Sequence, residues 1–225
     1  MLKTIAVDQW RLLTFRQPSS AIATHWRAYL VFGLVCTWLA GIGRYWDNPR
    51  AHLIQYLGLG SVIYACCLAV VLWLLIAPLR PNRWSFRNVL IFVSFTSLPS
   101  LLYAIPVERF MTMGNAQSAN AWFLTVVAVW RVALLWVFLR RFAQLPTDTA
   151  LIATLLPLTL ILVSLTTLNL EHVVFAFMSG IEPETVSSSD MAYGTVVVLS
   201  MFSLMASPFL LIFYALKVYI AQKSA

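Results

Sequence analysis

A single arginine lies near the middle of an otherwise apolar run. Residues 121–141 have the sequence AWFLTVVAVWRVALLWVFLRR, in which Arg131 is the only charged residue before the closing pair Arg140 and Arg141. A membrane-spanning helix needs about 20 apolar residues, so the run has a suitable length. Arg131 lies nine residues from Arg140, roughly 13–14 Å along a helix and therefore near the bilayer midplane. A cation there costs about 2.5–3.5 kcal/mol on insertion scales, so oxygen atoms are expected around it.

Three prolines in other apolar runs provide candidate partners for this arginine. Proline has no N–H, so each releases the backbone carbonyl of the residue four positions earlier. Counted from the predicted ends of their runs, the three prolines lie at nearly the same depth as Arg131, and two of them have serine hydroxyls nearby in the sequence. We therefore predict a polar site within the membrane that comprises Arg131, Pro99, Pro157, Pro208, Ser97 and Ser207.

Three interpretations of this polar site are open at the level of sequence. In the first, Arg131 is structural and either holds kinked helices together or extends its head toward the cytoplasmic surface. In the second, broken helices and a buried cation bind an anionic group or form a gate. In the third, Arg131 faces lipid or an oligomer interface.

Small residues form a second pattern, in the first apolar run. Gly33, Thr37 and Gly41 are spaced at i, i+4 and i+8 and therefore share one face of a helix. Small residues with this spacing allow a second helix to approach closely in a membrane. They predict a helix-packing seam, either with another helix of the same chain, which is the simpler prediction, or with a second copy.

The composition shows which elements must position these residues. The chain has 225 residues, of which 61% are hydrophobic and only 10% charged, whereas a soluble domain has about 25% charged residues. This excludes a water-soluble domain and predicts an all-α integral membrane helical bundle. Six apolar runs are separated by segments rich in Pro, Asn, Ser or charge, and they cover residues 28–46, 53–79, 88–106, 120–139, 149–170 and 193–217.

The basic residues predict the orientation of this bundle. With six spans and the N-terminus inside, eleven Lys and Arg residues fall on the inner side and only Arg44, Arg50 and Arg109 on the outer side. Lys and Arg concentrate in cytoplasmic loops, so both termini are predicted to lie on the cytoplasmic side of a bacterial inner (plasma) membrane.

The chain divides into two predicted regions. Residues 28–225 form a single six-span transmembrane domain, and residues 1–27 form a cytoplasmic, basic N-terminal segment with helical spacing of its apolar residues. Such a segment either lies on an anionic leaflet or is a loosely ordered basic tail. The first long apolar run begins only near Ala28 and is interpreted as an uncleaved anchor instead of a signal peptide.

No pattern in the sequence predicts an enzyme, a metal site or a cofactor. Nucleotide-binding, zinc-protease, serine-hydrolase and Cys-x-x-Cys motifs are all missing from the sequence. The residues Asp47, His52, Glu171 and His172 would lie near the outer face, but they lack the local spacing of metal ligands and are interpreted as interfacial polar residues. Basic patches with interleaved aromatic residues occur only as short interfacial loops, so nucleic acid is not a predicted partner.

Residues 84–157 resemble the bacterial branch of the Yip-domain membrane family. The similarity is carried by WSFRNVLIFVSFTSLPSLLYAIP and by AWFLTVVAVWRVALLWVFLRRFAQLPTDTALIATLLPL. The shared pattern begins with Ser-Phe beside a basic residue at the start of a span that is broken at Leu-Pro. A Trp-bearing span that ends in Leu-Arg follows, and then a further span with proline. The resemblance implies a multi-span helical bundle, and eukaryotic relatives of that family are linked to membrane traffic and small GTPases.

Two functions are compatible with these features. The first is a non-enzymatic membrane scaffold or partner-binding protein of Yip-like type, whose partners would be membrane lipids and either another protein or a second copy. The alternative is a small transporter or channel with its polar site around Arg131. A water-filled cavity that reaches Arg131 would favour transport, and a closed, packed bundle would favour the scaffold.

Overall fold

The computed structural model describes residues 1–46, 53–167 and 190–223, and every regular element in these ranges is helical. The α-helices are α1 (Leu2–Leu13), α2 (Ala21–Thr24), α3 (Trp26–Tyr45), α4 (Leu53–Tyr56), α5 (Leu59–Ile76), α6 (Phe86–Phe95), α7 (Met113–Val137), α8 (Thr147–Thr167) and α9 (Asp190–Lys223). Short 3-10 segments cover Ala77–Leu79, Leu98–Ala104 and Val107–Arg109, and a π-helical turn covers Phe138–Phe142.

Six of the helical stretches are long and apolar enough to cross a membrane. They are Trp26–Tyr45, Leu59–Leu79, Phe86–Ala104, Gly114–Phe142, Thr147–Ser164 and Val198–Lys223, and they are called the first to sixth spans below. Each coincides with one of the six predicted apolar runs, because a run of this length can satisfy its backbone polar groups in lipid only as a helix. The prediction of an all-helical protein with six such helices is confirmed.

The third span occupies the centre of the bundle. All residues from 89 to 97 are buried, and helices α3 and α5 both pack against α6. Ser85 caps the start of α6 by accepting a hydrogen bond from the backbone N–H of Asn88 at 3.3 Å. The span changes from α-helix to 3-10 helix at Leu98, where Pro99 follows. Pro157 and Pro208, by contrast, lie inside continuous helices, so only one of the three prolines coincides with a break.

One face of the N-terminal helix α1 is packed into the bundle, and its other face, which includes Leu2 and Trp10, is exposed. Ile5, Leu12 and Leu13 are buried and belong to the same hydrophobic core as the third span. Gln9 donates from Nε2 to the carbonyl oxygen of Phe95 at 3.2 Å, and Trp130 of the fourth span donates from Nε1 to the carbonyl of Leu13 at 3.0 Å. Apolar burial and two interhelical hydrogen bonds therefore hold α1 against the third and fourth spans.

The fifth and sixth spans form the other side of the bundle. Helix α9 packs along α8, and the hydroxyl of Tyr214 donates to the carbonyl of Leu75 in the second span at 2.8 Å. Lys217 forms an ion pair with Asp148 near the start of α8. The remaining faces of α9 expose large apolar side chains such as Phe202 and Phe209, as suits a helix that faces lipid.

Candidate functional site

Arg131 lies in the fourth span with its side chain partly exposed. No hydrogen bond or ion pair joins its guanidinium to another residue in the ranges that the structure describes. The group on which it acts electrostatically is the phenol of Tyr103, in the 3-10 segment of the third span.

Two of the three carbonyls released by the prolines accept hydrogen bonds from other donors. Pro99 releases the carbonyl of Phe95, and this oxygen accepts from Gln9 of α1. Pro208 releases the carbonyl of Leu204, which accepts from Ser207 Oγ at 3.0 Å. Arg131 is not the donor at either carbonyl, so the expected hydrogen bonds that defined a structural role for Arg131 are not formed there. Whether the six predicted residues form a functional site stays a prediction.

Ser97 belongs to a buried cluster of hydroxyls between the first and third spans. Its Oγ lies 2.6 Å from the carbonyl oxygen of Ser94 and 2.8 Å from Thr37 Oγ1. Thr37 Oγ1 also lies 2.9 Å from the carbonyl oxygen of Gly33, and Ser94 Oγ donates to the carbonyl of Ile91 at 3.0 Å. These hydroxyls use backbone carbonyls and one another, so the cluster links two helices and presents no free donor to a ligand.

The predicted packing seam lies on the buried side of the first span. A Cβ atom added at Gly33 would be 2.3 Å from Ser94 Oγ, and one added at Gly41 would be 2.7 Å from both the Gly58 carbonyl oxygen and Ser61 Oγ. Real Cβ atoms essentially never approach that closely. Gly33 therefore faces the third span and Gly41 the second, so in this structure the partner helices belong to the same chain.

A second arginine lies at the far end of the first span. The Cζ atom of Arg44 is 5.6 Å from the ring centroid of Tyr45 and 5.0 Å from that of Tyr103. Its Nη2 atom is buried and has no hydrogen-bond partner among the described residues. Cation–π attraction to the two phenol rings therefore offsets part of the cost of burying this guanidinium. Arg44 and Arg131 both act on Tyr103, a pairing that the sequence did not indicate.

Four other arginines line a single cavity of about 1010 Å³. The cavity lies at the end of the bundle opposite to Arg44. It is bounded by the segment after α1, the segment before α6, and the π-helical turn at the end of the fourth span. Its lining includes the arginines Arg16, Arg83, Arg87 and Arg141. None of the described residues that line it is acidic. We call it the arginine cavity.

The walls of the arginine cavity are apolar and aromatic. Phe92 and Phe138 stack with ring centroids 4.2 Å apart, and Phe142 stacks on Phe138 at 4.9 Å. Trp84 lies against Phe138 at 6.1 Å. The wide π-helical turn carries Phe138, Arg141 and Phe142 together; such turns occur frequently at functional sites. The sequence contained a signal for this cavity, namely basic residues at neighbouring span ends, but they were interpreted only as indicators of orientation.

One acidic side chain lies behind the wall of this cavity. Asp8 is 1% exposed and accepts hydrogen bonds from the Ser19 backbone N–H at 2.9 Å, from Ser19 Oγ at 2.5 Å and from the hydroxyl of Tyr29 at 2.5 Å. Burial by itself raises the pKa of this carboxyl, but the hydrogen bonds from Ser19 and Tyr29 outweigh burial and hold the pKa below its ordinary value. Asp8 thus holds Ser19, which lines the arginine cavity. Its hydrogen bond from Tyr29 connects α1 to the first span.

The outer-face set Asp47, His52, Glu171 and His172 lies outside the described residues. Within 1–46, 53–167 and 190–223, no group of three or more His, Cys, Asp or Glu side chains could hold a metal ion. Cys36, Cys66 and Cys67 are free thiols.

Substitution of Arg131 tests whether it stabilises the bundle. Because its guanidinium has no hydrogen bond to a described residue, we expect Arg131→Met to leave the free energy of unfolding unchanged or to raise it, since a cation within the membrane costs about 2.5–3.5 kcal/mol on insertion scales. Equilibrium unfolding in mixed micelles would measure this. A loss of more than about 1 kcal/mol, the typical net value of one hydrogen bond, would show that Arg131 is a structural residue after all.

Comparison with known proteins adds no family assignment. No family model, no curated protein and no solved structure matches this chain. The resemblance of residues 84–157 to the Yip-domain family therefore stays a prediction from the sequence.

Proposed function

We propose that this chain is a multi-pass protein of a bacterial inner membrane that acts as a non-enzymatic scaffold or partner-binding protein of Yip-like type. The observation that supports this function best is the packed centre of the bundle. Residues 89–97 of the third span are all buried, and their hydroxyls bond to carbonyls and to Thr37. Arg131 does not line the arginine cavity. A packed centre in the described residues suits a scaffold better than a continuous transport pathway.

The proposal includes an orientation with both termini in the cytoplasm. It is supported by the excess of Lys and Arg on the side that holds the arginine cavity. Reporter fusions at residues 82 and 115 should then report the inside and the outside, respectively. The same side for both positions would exclude this topology.

A small transporter or channel is the second candidate, and one observation favours it. Arg44 and Arg131 both act on the phenol of Tyr103, and Arg44 Nη2 is buried without a partner among the described residues. A buried cation against a phenol, within helices that cross the membrane, is the kind of intramembrane polar group that marks an ion pathway.

Flux measurements separate the two candidates. Purified protein in liposomes should give no more leak of chloride, phosphate or protons than protein-free liposomes, because the packed third span closes the centre of the bundle. A selective flux in the native protein that disappears in a folded Arg131→Met variant would support transport. Affinity capture from native membranes should in turn recover a stoichiometric protein partner or a homo-oligomer, and recovery of the chain as a monomer without a partner would contradict the scaffold.

A further inference from the structure

We propose that the arginine cavity binds the phosphate group of an acidic phospholipid, with the start of the lipid's apolar part against the aromatic wall. This site is independent of the scaffold function, since it rests on the geometry at one end of the bundle. The ligand that the cavity recognises carries a phosphate ester joined to an apolar group. A soluble phosphate ester shares the first half of this chemistry, and the experiment below separates the two sources.

The charge of the cavity is the first argument. Arg16, Arg83, Arg87 and Arg141 line one space, and their positive charges together create a potential that attracts an anion. Arg141 already donates to the carbonyl of Phe15 at 2.7 Å, and solvent partly screens the three exposed arginines. Guanidinium is the group best suited to phosphate, because its planar fork of N–H donors matches two phosphate oxygens. The acids nearby are already occupied: Asp8 by Ser19 and Tyr29, and Asp148 by Lys217.

Unused donors are the second argument. Arg87 lines the cavity, and its Nε atom is buried without a hydrogen-bond partner among the described residues, although its Cζ atom lies 5.0 Å from the Trp26 ring centroid. A buried donor without a partner is costly. Ser85, which caps the start of α6, also lines the cavity. The positive end of that helix dipole therefore adds to the attraction of an anion.

The shape of the cavity is the third argument, and it distinguishes a lipid from a bare anion. The volume of about 1010 Å³ lies at the upper end of the range for ligand pockets and is far larger than one phosphate group requires. Below the arginines the lining is apolar and includes Leu12, Ile91 and Leu134. Ile91 is five residues after the start of the third span at Phe86, or about 7.5 Å along the helix. The lining thus changes from arginines to buried apolar side chains along the third span, as a phospholipid changes from its charged headgroup to its acyl chains.

Binding to the full-length protein in neutral detergent micelles tests the proposal. The probes are phosphatidylglycerol and phosphatidylcholine, which differ in net charge, and soluble glycerol phosphate, which carries the phosphate without acyl chains. The variants are Arg87→Gln and Arg141→Gln. Arg80→Gln is the matched control, because Arg80 is an exposed arginine that precedes the same span and does not line the cavity.

We expect phosphatidylglycerol to bind at least about tenfold more tightly than phosphatidylcholine, and each cavity variant to weaken its binding by about tenfold or more, the value of one charge-assisted hydrogen bond. Arg80→Gln should change the affinity by less than about twofold, as for a charge that makes no contact. Should Arg87→Gln fail to fold, Arg16→Gln at the exposed rim takes its place.

Three results would overturn the proposal. Equal affinities for the two lipids would show that the arginines do not recognise the anionic headgroup. An equal loss in Arg80→Gln would show that any positive charge at this end attracts the lipid. If glycerol phosphate binds as tightly as phosphatidylglycerol and shows the same loss in the cavity variants, the ligand is a soluble phosphate ester and the assignment to a lipid is wrong.

Discussion

Substitution of Gly33 by leucine is expected to cause one of the two largest losses of stability that the structure indicates. A Cβ atom at this position would lie 2.3 Å from Ser94 Oγ and 2.9 Å from Phe95 Cδ1. Neither neighbour has room to move, because both side chains are 0% exposed and Ser94 Oγ is bonded to the carbonyl of Ile91. The first and third spans would have to separate, and the free energy of unfolding should fall by about 3 kcal/mol or more.

The matched control is Gly114→Leu in the fourth span. A Cβ atom there would meet nothing within 4 Å, so the same change in size should leave stability nearly unchanged. Equilibrium unfolding of both variants in mixed micelles measures the difference. If the two variants were equally stable, the close contact between the first and third spans would not exist in the membrane.

Substitution of Asp8 by asparagine is expected to cause the other large loss of stability. Asp8 is 1% exposed and receives three hydrogen bonds from Ser19 and Tyr29. An asparagine keeps the shape of the side chain but replaces one acceptor oxygen with an NH₂ group, so at least one buried donor is left without an acceptor. We expect the free energy of unfolding to fall by about 3 kcal/mol. The contact of α1 with the bundle should also loosen, which limited proteolysis near the N-terminus would detect.

The pH dependence of this variant provides a separate test. Hydrogen bonds from Ser19 and Tyr29 hold the pKa of Asp8 below its ordinary value in the folded protein. The carboxylate therefore contributes its full stabilisation above the unfolded pKa of about 3.9, and this contribution is lost as the pH falls through the lower folded pKa. The difference in stability between the native protein and Asp8→Asn should be constant from pH 7 to about pH 4 and should shrink below it.

Asp148→Asn is the control for the loss of a carboxylate. Its side chain is 58% exposed and pairs with Lys217, so solvent screens the interaction and only a small change in stability is expected. An equally large loss in Asp148→Asn would mean that burial of Asp8 is not the cause of its effect.

The positions of the spans could be predicted from hydropathy because lipid imposes a strong rule on the backbone. The first run was predicted at 28–46 and the span covers Trp26–Tyr45; the fourth was predicted at 120–139 and the span covers Gly114–Phe142. Each unsatisfied backbone group costs several kcal/mol in hydrocarbon, so a long apolar run forms a helix whatever its neighbours are. The deviation at the start of the fourth span arises because polar residues there, such as Asn115 and Ser118, still belong to helix α7.

The partners of individual polar groups could not be predicted in the same way. Arg131 was expected near the carbonyls released by Pro99 and Pro208, but Gln9 and Ser207 donate to those oxygens. Depth along a span can be counted in the sequence, whereas direction around the helix and the identity of the neighbouring helix cannot. In a membrane, buried and lipid-facing surfaces are both apolar, so the hydrophobic pattern does not distinguish them.

By itself, the sequence determined that this protein is an all-helical chain with six helices long and apolar enough to cross a membrane, and that Gly33 and Gly41 lie on one helix face. The tertiary structure decided that the third span is central, that α1 is packed into the core, and that Arg16, Arg83, Arg87 and Arg141 meet around one cavity. These four arginines come from three separate parts of the chain, because Arg83 and Arg87 are only four residues apart. Only the packing of the helices, which depends on side-chain shape and on buried hydrogen bonds, brings their charges together.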